Sequence, residues 1–283
     1  MTTYLIIGCG YLGRHICQFL NHDDANVYFI KRSPASAKDH GNIIQKDWFK
    51  CTPNDLPQVD YVFYTMSPHS SRISDYQQAY VDGVKHMISL LSHQRDLKKV
   101  VLVSSTSVYD VHDGSWVAES CQKFGEHEKT QAILAGESLL THSDLPWVIA
   151  RLGGIYGYGR HYLLDLIRQG KCYLNHEQVF SNRIHVHDAA RCLHHLSLLP
   201  LTEGQLFHGV DPQPTALNTI TAWLSSKLGA HISHPMNQEE ATRSRLSNKQ
   251  VSSEKLVATG FNFQYPSFRE GFIQIMKQEG MID

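Results

Sequence analysis

"TYLIIGCGYLGRHICQFL", residues 3–20, decides the class of fold. Tyr4 to Ile7 make a short apolar run, glycines follow at positions 8, 10 and 13, and Leu12, Ile16, Phe19 and Leu20 then recur at helical spacing. The stretch reads as a buried strand, a tight turn and an amphipathic helix.

Working outward, the same alternation repeats. "NVYFI" (26–30), "NIIQKDW" (42–48) and "DYVFYTMS" (60–67) read as strands two to four, the last nearly continuous in apolar residues, as a strand covered on both faces should be. A long helix follows with Tyr76, Tyr80, Val84, Met87 and Leu91 on its apolar side, then strand five, "KVVLVSS" (99–105). "TQAILAGESLL" (130–140) reads as helix and "WVIARLGGIYG" (147–157) as one further strand ended by a glycine-rich turn. Buried strands alternating with amphipathic helices predict an α/β fold with a doubly wound parallel sheet.

Beyond Gly157 the pattern loosens. "YLLDLIRQG" and "HDAARCLHHLSLL" read as helices, "QLFHGV" as a strand returning to the sheet, and "DPQP" (211–214) as a loop into a mixed segment. The expected division is a nucleotide-binding lobe of residues 1–157 and 183–210 and a smaller C-terminal substrate lobe of 158–182 and 211–283.

A formal net charge of -1 without a Lys/Arg-dense stripe leaves no footprint for nucleic acid. No apolar run approaches the roughly 20 residues that span a bilayer, so no membrane partner is expected. Six cysteines without a C-x-x-C pair, and an N-terminus that moves straight into a strand, point to reduced thiols and a cytoplasmic location. In "IHVHDAARCLHHL" (184–196), His185 and His187 share a strand face, short of the three or four converging ligands a zinc site needs. No metal is expected, and Asp188 is read as a helix N-cap.

The glycine turn carries the chemistry. Gly8 permits the turn, Gly10 lets a pyrophosphate approach the backbone, and Gly13 allows close helix packing, with Tyr11 and Leu12 in the same turn. The helix N-terminus adds unpaired N–H groups and partial positive charge, so a dinucleotide is the expected ligand. After strand two, where an acid would grip the ribose 2′-OH of NAD, the chain reads "FIKRSP". Lys31, Arg32 and Ser33 suit a 2′-phosphate, which points to NADP with NAD as the alternative. The rival reading of Lys31 and Arg32 is a solvated surface pair.

"IIGCGYLGR", Asp47–Trp48, "DYVFYTMS", "VSSTSVYD", "ARLGGIYGYGR", "RIHVHDAAR" and "GFNFQYPSFREGF" together resemble the extended short-chain dehydrogenase/reductases, the NAD-dependent epimerase/dehydratase family, over nearly the whole chain. The family's commoner G-x-x-G-x-x-G would need glycine at Ile7. The resemblance implies a Rossmann fold in which Asp47 and Trp48 meet adenine, Met66, Ser67 and Ser104 border the dinucleotide, and Ser105 polarises the substrate oxygen. It also implies a homodimer as the assembly to test, because two helices of this family commonly pair in a dimer bundle.

The family's Tyr-x-x-x-Lys pair is missing. "FGEHEKTQAILAGES" (124–138) holds no tyrosine, and none occurs between Tyr109 and Tyr156. One register puts His127 and Gln131 in the two positions, and the other, anchored on Glu137, puts Lys129 and Ile133 there. An imidazole at His127 could move a proton, and Gln131 could bond a ribose hydroxyl. Tyr109, Tyr156, Arg160 and Arg183 are candidates to face a small-molecule substrate. Two readings follow: an NADP-dependent oxidoreductase or epimerase/dehydratase acting on a small sugar-like or carbonyl substrate, or a catalytically degenerate NAD(P)-binding sensor.

Overall fold

β1 (Thr3–Ile7) lies in parallel between β2 (Asn26–Lys31) and β4 (Tyr61–Tyr64), with β3 (Asn42–Gln45) beyond β2 and β5 (Lys99–Ser105) beyond β4. With β6 (Trp147–Leu152) and β7 (Gln205–Gly209) the order across the seven-stranded sheet is β7-β6-β5-β4-β1-β2-β3. The order reverses between β1 and β4, and in doubly wound sheets ligands bind beyond the strand ends at such a reversal. This computed structural model describes residues 1–20, 25–34, 40–171, 178–200, 204–230 and 247–282.

Two compact units divide the chain. The first comprises Met1–Val108, Phe124–Arg151 and Ala189–Phe207; the second comprises Tyr109–Lys123, Leu152–Asp188 and His208–Asp283. In the first, Leu5, Ile7, Val62, Tyr64, Val100 and Leu102 fill one face of the sheet against Val84, Met87 and Leu91. Ile6, Phe63, Val101 and Ala150 are equally buried from the opposite face, which is why these strands are apolar throughout instead of alternating. Helix α1 (Tyr11–Leu20) buries Leu12, Ile16, Cys17 and Leu20, a one-sided stripe matching its sequence period.

The helix after β4, α2, runs in three pieces: α-helical Ile73–Tyr76, π-helical Gln77–Asp82 and α-helical Gly83–Leu91. The Gly83 N–H reaches the carbonyl of Gln78, five residues back, and the Ala79 carbonyl accepts the Tyr64 hydroxyl at 2.5 Å. A side chain at position 83 would strike that hydroxyl, so glycine there makes room for the phenol. Burial pushes the Tyr64 phenol far above its ordinary pKa.

The stretch expected as one strand over 147–157 is two. β6 ends at Leu152, and Gly154–Tyr156 pairs in parallel with Arg183–His185 instead. At Gly153 a Cβ would lie 2.8 Å from both the Asn182 carbonyl and Val210, so this approach of backbones requires glycine. Asp188 is also not a cap. It lies inside the helix Val186–Leu198, and its buried carboxylate accepts the N–H groups of Gln264 at 2.9 Å and Tyr265 at 2.7 Å.

The second unit's core gathers Tyr156, Leu164, Ile220, Leu224, Phe268 and Phe272 from the helices Tyr162–Arg168, Leu217–Leu228 and Phe268–Gln278 and their approach. Ser267 and Glu270 form a capping box that starts the last of these helices.

Candidate functional site

Gly8 leaves β1 with φ of 111°, a conformation that favours glycine, and a Cβ there would lie 2.7 Å from the Met66 nitrogen. Thr65, just past β4, donates its hydroxyl to the Gly8 carbonyl at 2.7 Å and ties the two strand ends together. A Cβ on Gly13 would strike the same carbonyl. Gly10 differs: a Cβ built on it meets nothing within 4 Å. Two of the three glycines are therefore demanded by packing, and the third keeps open space over the loop where a phosphate would approach the backbone.

Beside this loop lies a cleft of about 580 Å³, contained in the first unit. Of the residues singled out in the sequence, Gly8, Lys31, Arg32, Ser33, Asp47, Trp48, Met66 and Ser67 border it. Tyr11, Leu12, Gly10 and Gly13 do not border it. Cys9, Lys46, His69, Asp75 and Gln78 do, and sequence reasoning passed over them. Lys46 could have been found as the flank of Asp47; Asp75 and Gln78 needed the orientation of α2.

The cleft's polar groups are held unequally. Asp47 caps a short 3-10 turn, accepting the Phe49 N–H at 3.1 Å. Lys46 pairs with Asp55 at 2.7 Å, and that bond, with those from Thr52, brings the Asp55 carboxyl down to about 2. Trp48 is buried edge-on against His86, with ring centroids 4.9 Å apart. Arg32 is exposed and has no ionic or hydrogen-bond partner among the described residues.

At the end of β5, adjacent serines diverge. Ser104 turns inward and donates to Glu137 Oε1 at 2.5 Å, while Arg151 bonds the same carboxylate through Nε to Oε1 at 2.9 Å and Nη2 to Oε2 at 2.5 Å. The guanidinium also stacks over Phe124, 5.0 Å from its ring centroid. Ser105 is half-buried; its hydroxyl donates to Ser107 Oγ at 2.9 Å and accepts the Ser107 N–H at 3.1 Å.

The next helix, α3 (Glu128–Thr141), buries Ala132, Ile133, Gly136, Glu137 and Leu140. Lys129, Ile133 and Glu137 share one side at four-residue spacing. His127 and Gln131 are exposed. His127 is the N-cap, its Nδ1 accepting the Lys129 N–H at 3.3 Å, and the Gln131 amide donates to the Gly125 carbonyl at 2.8 Å. Neither borders the cleft. Lys129 Nζ instead lies 5.6 Å from the centre of the Tyr76 ring on α2.

Tyr109, Tyr156, Arg160 and Arg183 all fall in the second unit. Tyr109 is buried, its hydroxyl 2.7 Å from His208 Nε2, and its carbonyl accepts Lys249 Nζ at 2.9 Å. Burial lowers the Lys249 ammonium to about 8. Tyr156 is buried against Phe272, and desolvation pushes its phenol far up. Arg160 closes an exposed turn, its N–H donating to the Gly157 carbonyl at 2.9 Å. Arg183 keeps a buried Nε with no partner among the described residues, and burial brings its guanidinium below the ordinary arginine value. Near it, burial raises the Asp211 carboxyl to about 8.

The fold is widely shared. A conserved protein of unknown function from Silicibacter pomeroyi DSS is 22% identical, with 98% of this chain and 99% of that one covered and a TM-score of 0.80. A human epimerase family protein determined with NADPH is 17% identical, covering 98% and 99%, with a TM-score of 0.81. The UDP-glucuronic acid 4-epimerase of Bacillus cereus, in complex with NAD, is 17% identical, with the same coverage and a TM-score of 0.80. Comparison with curated proteins finds no match. These identities speak for the fold alone, whereas the sequence itself matches the NAD dependent epimerase/dehydratase family over residues 4–198. With the glycine turn, the cleft and the strand order, that match over more than half of its length means that the chain belongs to the NAD dependent epimerase/dehydratase family.

Proposed function

We propose that the protein is a cytoplasmic, NADP-preferring oxidoreductase or epimerase/dehydratase acting on a small sugar-like or carbonyl substrate. The observation that carries this reading is the pairing, in one cleft, of the glycine turn with Arg32, an exposed cation that nothing in the described chain engages. An exposed guanidinium just past the end of β2 suits the extra phosphate of NADP, which it can bond with two parallel N–H groups. Relatives of the same fold determined with NADPH and with NAD support a nicotinamide cofactor.

When bound, that cofactor supplies hydride transfer. This chain's part is to hold and orient it: Gly8 and Gly10 at the pyrophosphate, Asp47 and Trp48 at the adenine, Met66 and Ser67 along the cleft. Ser105 would polarise the substrate oxygen, and Tyr109, Tyr156, Arg160 and Arg183 remain the substrate candidates of the second unit.

Fluorescence titration with NADPH and NADH tests the reading. NADPH should bind about tenfold or more tightly than NADH, and Arg32→Ala should remove most of that difference, since a charge-assisted bond contributes about 1.5–3 kcal/mol. Equal affinities would remove the NADP preference, and failure to bind either would remove the cofactor.

One observation favours the sensor reading. The Gln131 amide is committed to the Gly125 carbonyl and the Ser104 hydroxyl to Glu137, so two groups expected at a cofactor are engaged within the protein. NADPH binding with no turnover of any carbonyl substrate would favour it.

A further inference from the structure

Arg183 is a cation without a counter-charge. It opens the strand Arg183–His185 and is half-buried, with Nε sealed from solvent, and its guanidinium makes no hydrogen bond or ion pair among the described residues. A desolvated charge is unfavourable unless an opposite one meets it. Asp211 stands beside it, its N–H donating to the Arg183 carbonyl at 2.7 Å, yet it does not serve. Its buried carboxyl, raised to about 8, is largely protonated at neutral pH, and Oδ1 already accepts the Gln213 N–H at 3.2 Å.

Open ground lies on the same face. Arg183 pairs in register with Gly154 of the parallel strand Gly154–Tyr156, and residues paired in this way point to one side of the pleat. Gly154 is exposed, and a Cβ built on it meets only the Asn182 carbonyl, at 3.5 Å. Gly153 is demanded by packing; its neighbour is not. Both Arg183 and Gly154 belong to the second unit.

We propose that Arg183, with the open ground over Gly154, anchors a carboxylate-binding site in the second unit, so that the small molecule this protein takes carries an acid group. That this molecule is the substrate of a nicotinamide-dependent reaction rests on the reading above; the site itself does not.

Charge selects the anion. One guanidinium can place two parallel N–H groups on a carboxylate, matching its single charge. Asp188 and Glu270 lie close enough to push the Asp211 carboxyl up, so the second negative charge of a phosphate ester would meet acids where it needs another cation.

Three ketones of one carbon skeleton test the site: hydroxypyruvate, which carries a carboxylate, uncharged dihydroxyacetone, and dihydroxyacetone phosphate. Calorimetry at pH 7 and constant ionic strength should show hydroxypyruvate bound about tenfold or more tightly than either of the others. Arg183→Met should erase that margin, and Arg183→Lys should keep part of it, since an ammonium holds the charge without the fork. Gly154→Val should weaken hydroxypyruvate about tenfold by covering the ground beside an intact Arg183. All three variants should bind NADPH within about twofold of wild type, because neither residue belongs to the unit that holds the cleft.

Equal affinity for hydroxypyruvate and dihydroxyacetone, or hydroxypyruvate binding that Arg183→Met leaves unchanged, overturns the site; with NADPH still bound, the nicotinamide reading stands. Tighter binding of dihydroxyacetone phosphate, lost in Arg183→Met, overturns the choice of a carboxylate. Hydroxypyruvate held through Arg183 by a protein that binds no NADPH upholds the site and removes the nicotinamide reading.

Discussion

Arg151 holds both carboxylate oxygens of Glu137, and the two side chains are 5% and 8% exposed. One oxygen also accepts the Ser104 hydroxyl, so the carboxylate joins the end of β5, the middle of α3 and the end of β6. Inside a low-dielectric core such a pair is costly to break from one side only, because the partner's charge is stranded. Glu137→Gln should therefore destabilise the protein by about 3–5 kcal/mol in urea unfolding, and Glu137→Leu combined with Arg151→Met should recover most of the loss. A loss in the single variant no larger than that of an exposed pair, under about 1 kcal/mol, would contradict this.

The glycine turn separates folding from binding. At Gly8 both the positive φ and the contact with Met66 oppose a side chain, so Gly8→Ala should cost about 1–3 kcal/mol in thermal unfolding. Gly10→Ala meets no protein atom and should unfold within about 1 kcal/mol of wild type. The same variant should bind NADPH far more weakly. Equal NADPH affinity in Gly10→Ala and wild type would show that no ligand approaches there.

Asp211 gives a pH dependence of definite sign. Burial raises its folded-state value to about 8 from an ordinary 3.8, with Arg183 and the Gln213 N–H opposing the rise and Glu270 and Asp188 adding to it. Folding therefore favours the protonated carboxyl. Its contribution is full below about pH 4 and is lost as pH rises through about 8. Chemical denaturation from pH 4 to 8 should show this decline, and Asp211→Asn should flatten it and exceed wild type at pH 8. A decline of the same size in both proteins would assign it to other groups.

Tyr64 and Gly83 should be energetically coupled. Tyr64→Phe leaves the Ala79 carbonyl without the phenol and should cost about 1–3 kcal/mol. Gly83→Ala should destabilise the wild type, where its Cβ strikes the hydroxyl, and do less harm in the Tyr64→Phe background. Additive effects in a double-mutant cycle would mean the two do not touch.

The sheet was legible because its strands are buried on both faces and so appear as apolar runs; the expected limits of β5, Lys99 to Ser105, are those observed. The break at Gly153 was not, because the partners that divide the run, Gly209 and the Arg183–His185 strand, lie far along the chain. The cleft residues Gly8, Lys31 to Ser33, Asp47 and Met66 were legible because a parallel sheet delivers all its strand ends to one edge. Composition does not say which of Ser104 and Ser105 turns inward. Successive residues of a strand face opposite ways, and Glu137 decides the matter from 33 residues away. The register of α3 was equally hidden until burial separated the side carrying Ile133 and Glu137 from the exposed His127 and Gln131.

The π-helical piece of α2 bears on how the chain tolerates a change in length. A π turn holds more residues than an α turn, and each α-helical residue advances by about 100°. Deleting one residue between Gln77 and Asp82 would let that piece tighten to α-helix while Met87 and Leu91 keep their seats in the core. The same deletion a turn further on would rotate both out of it.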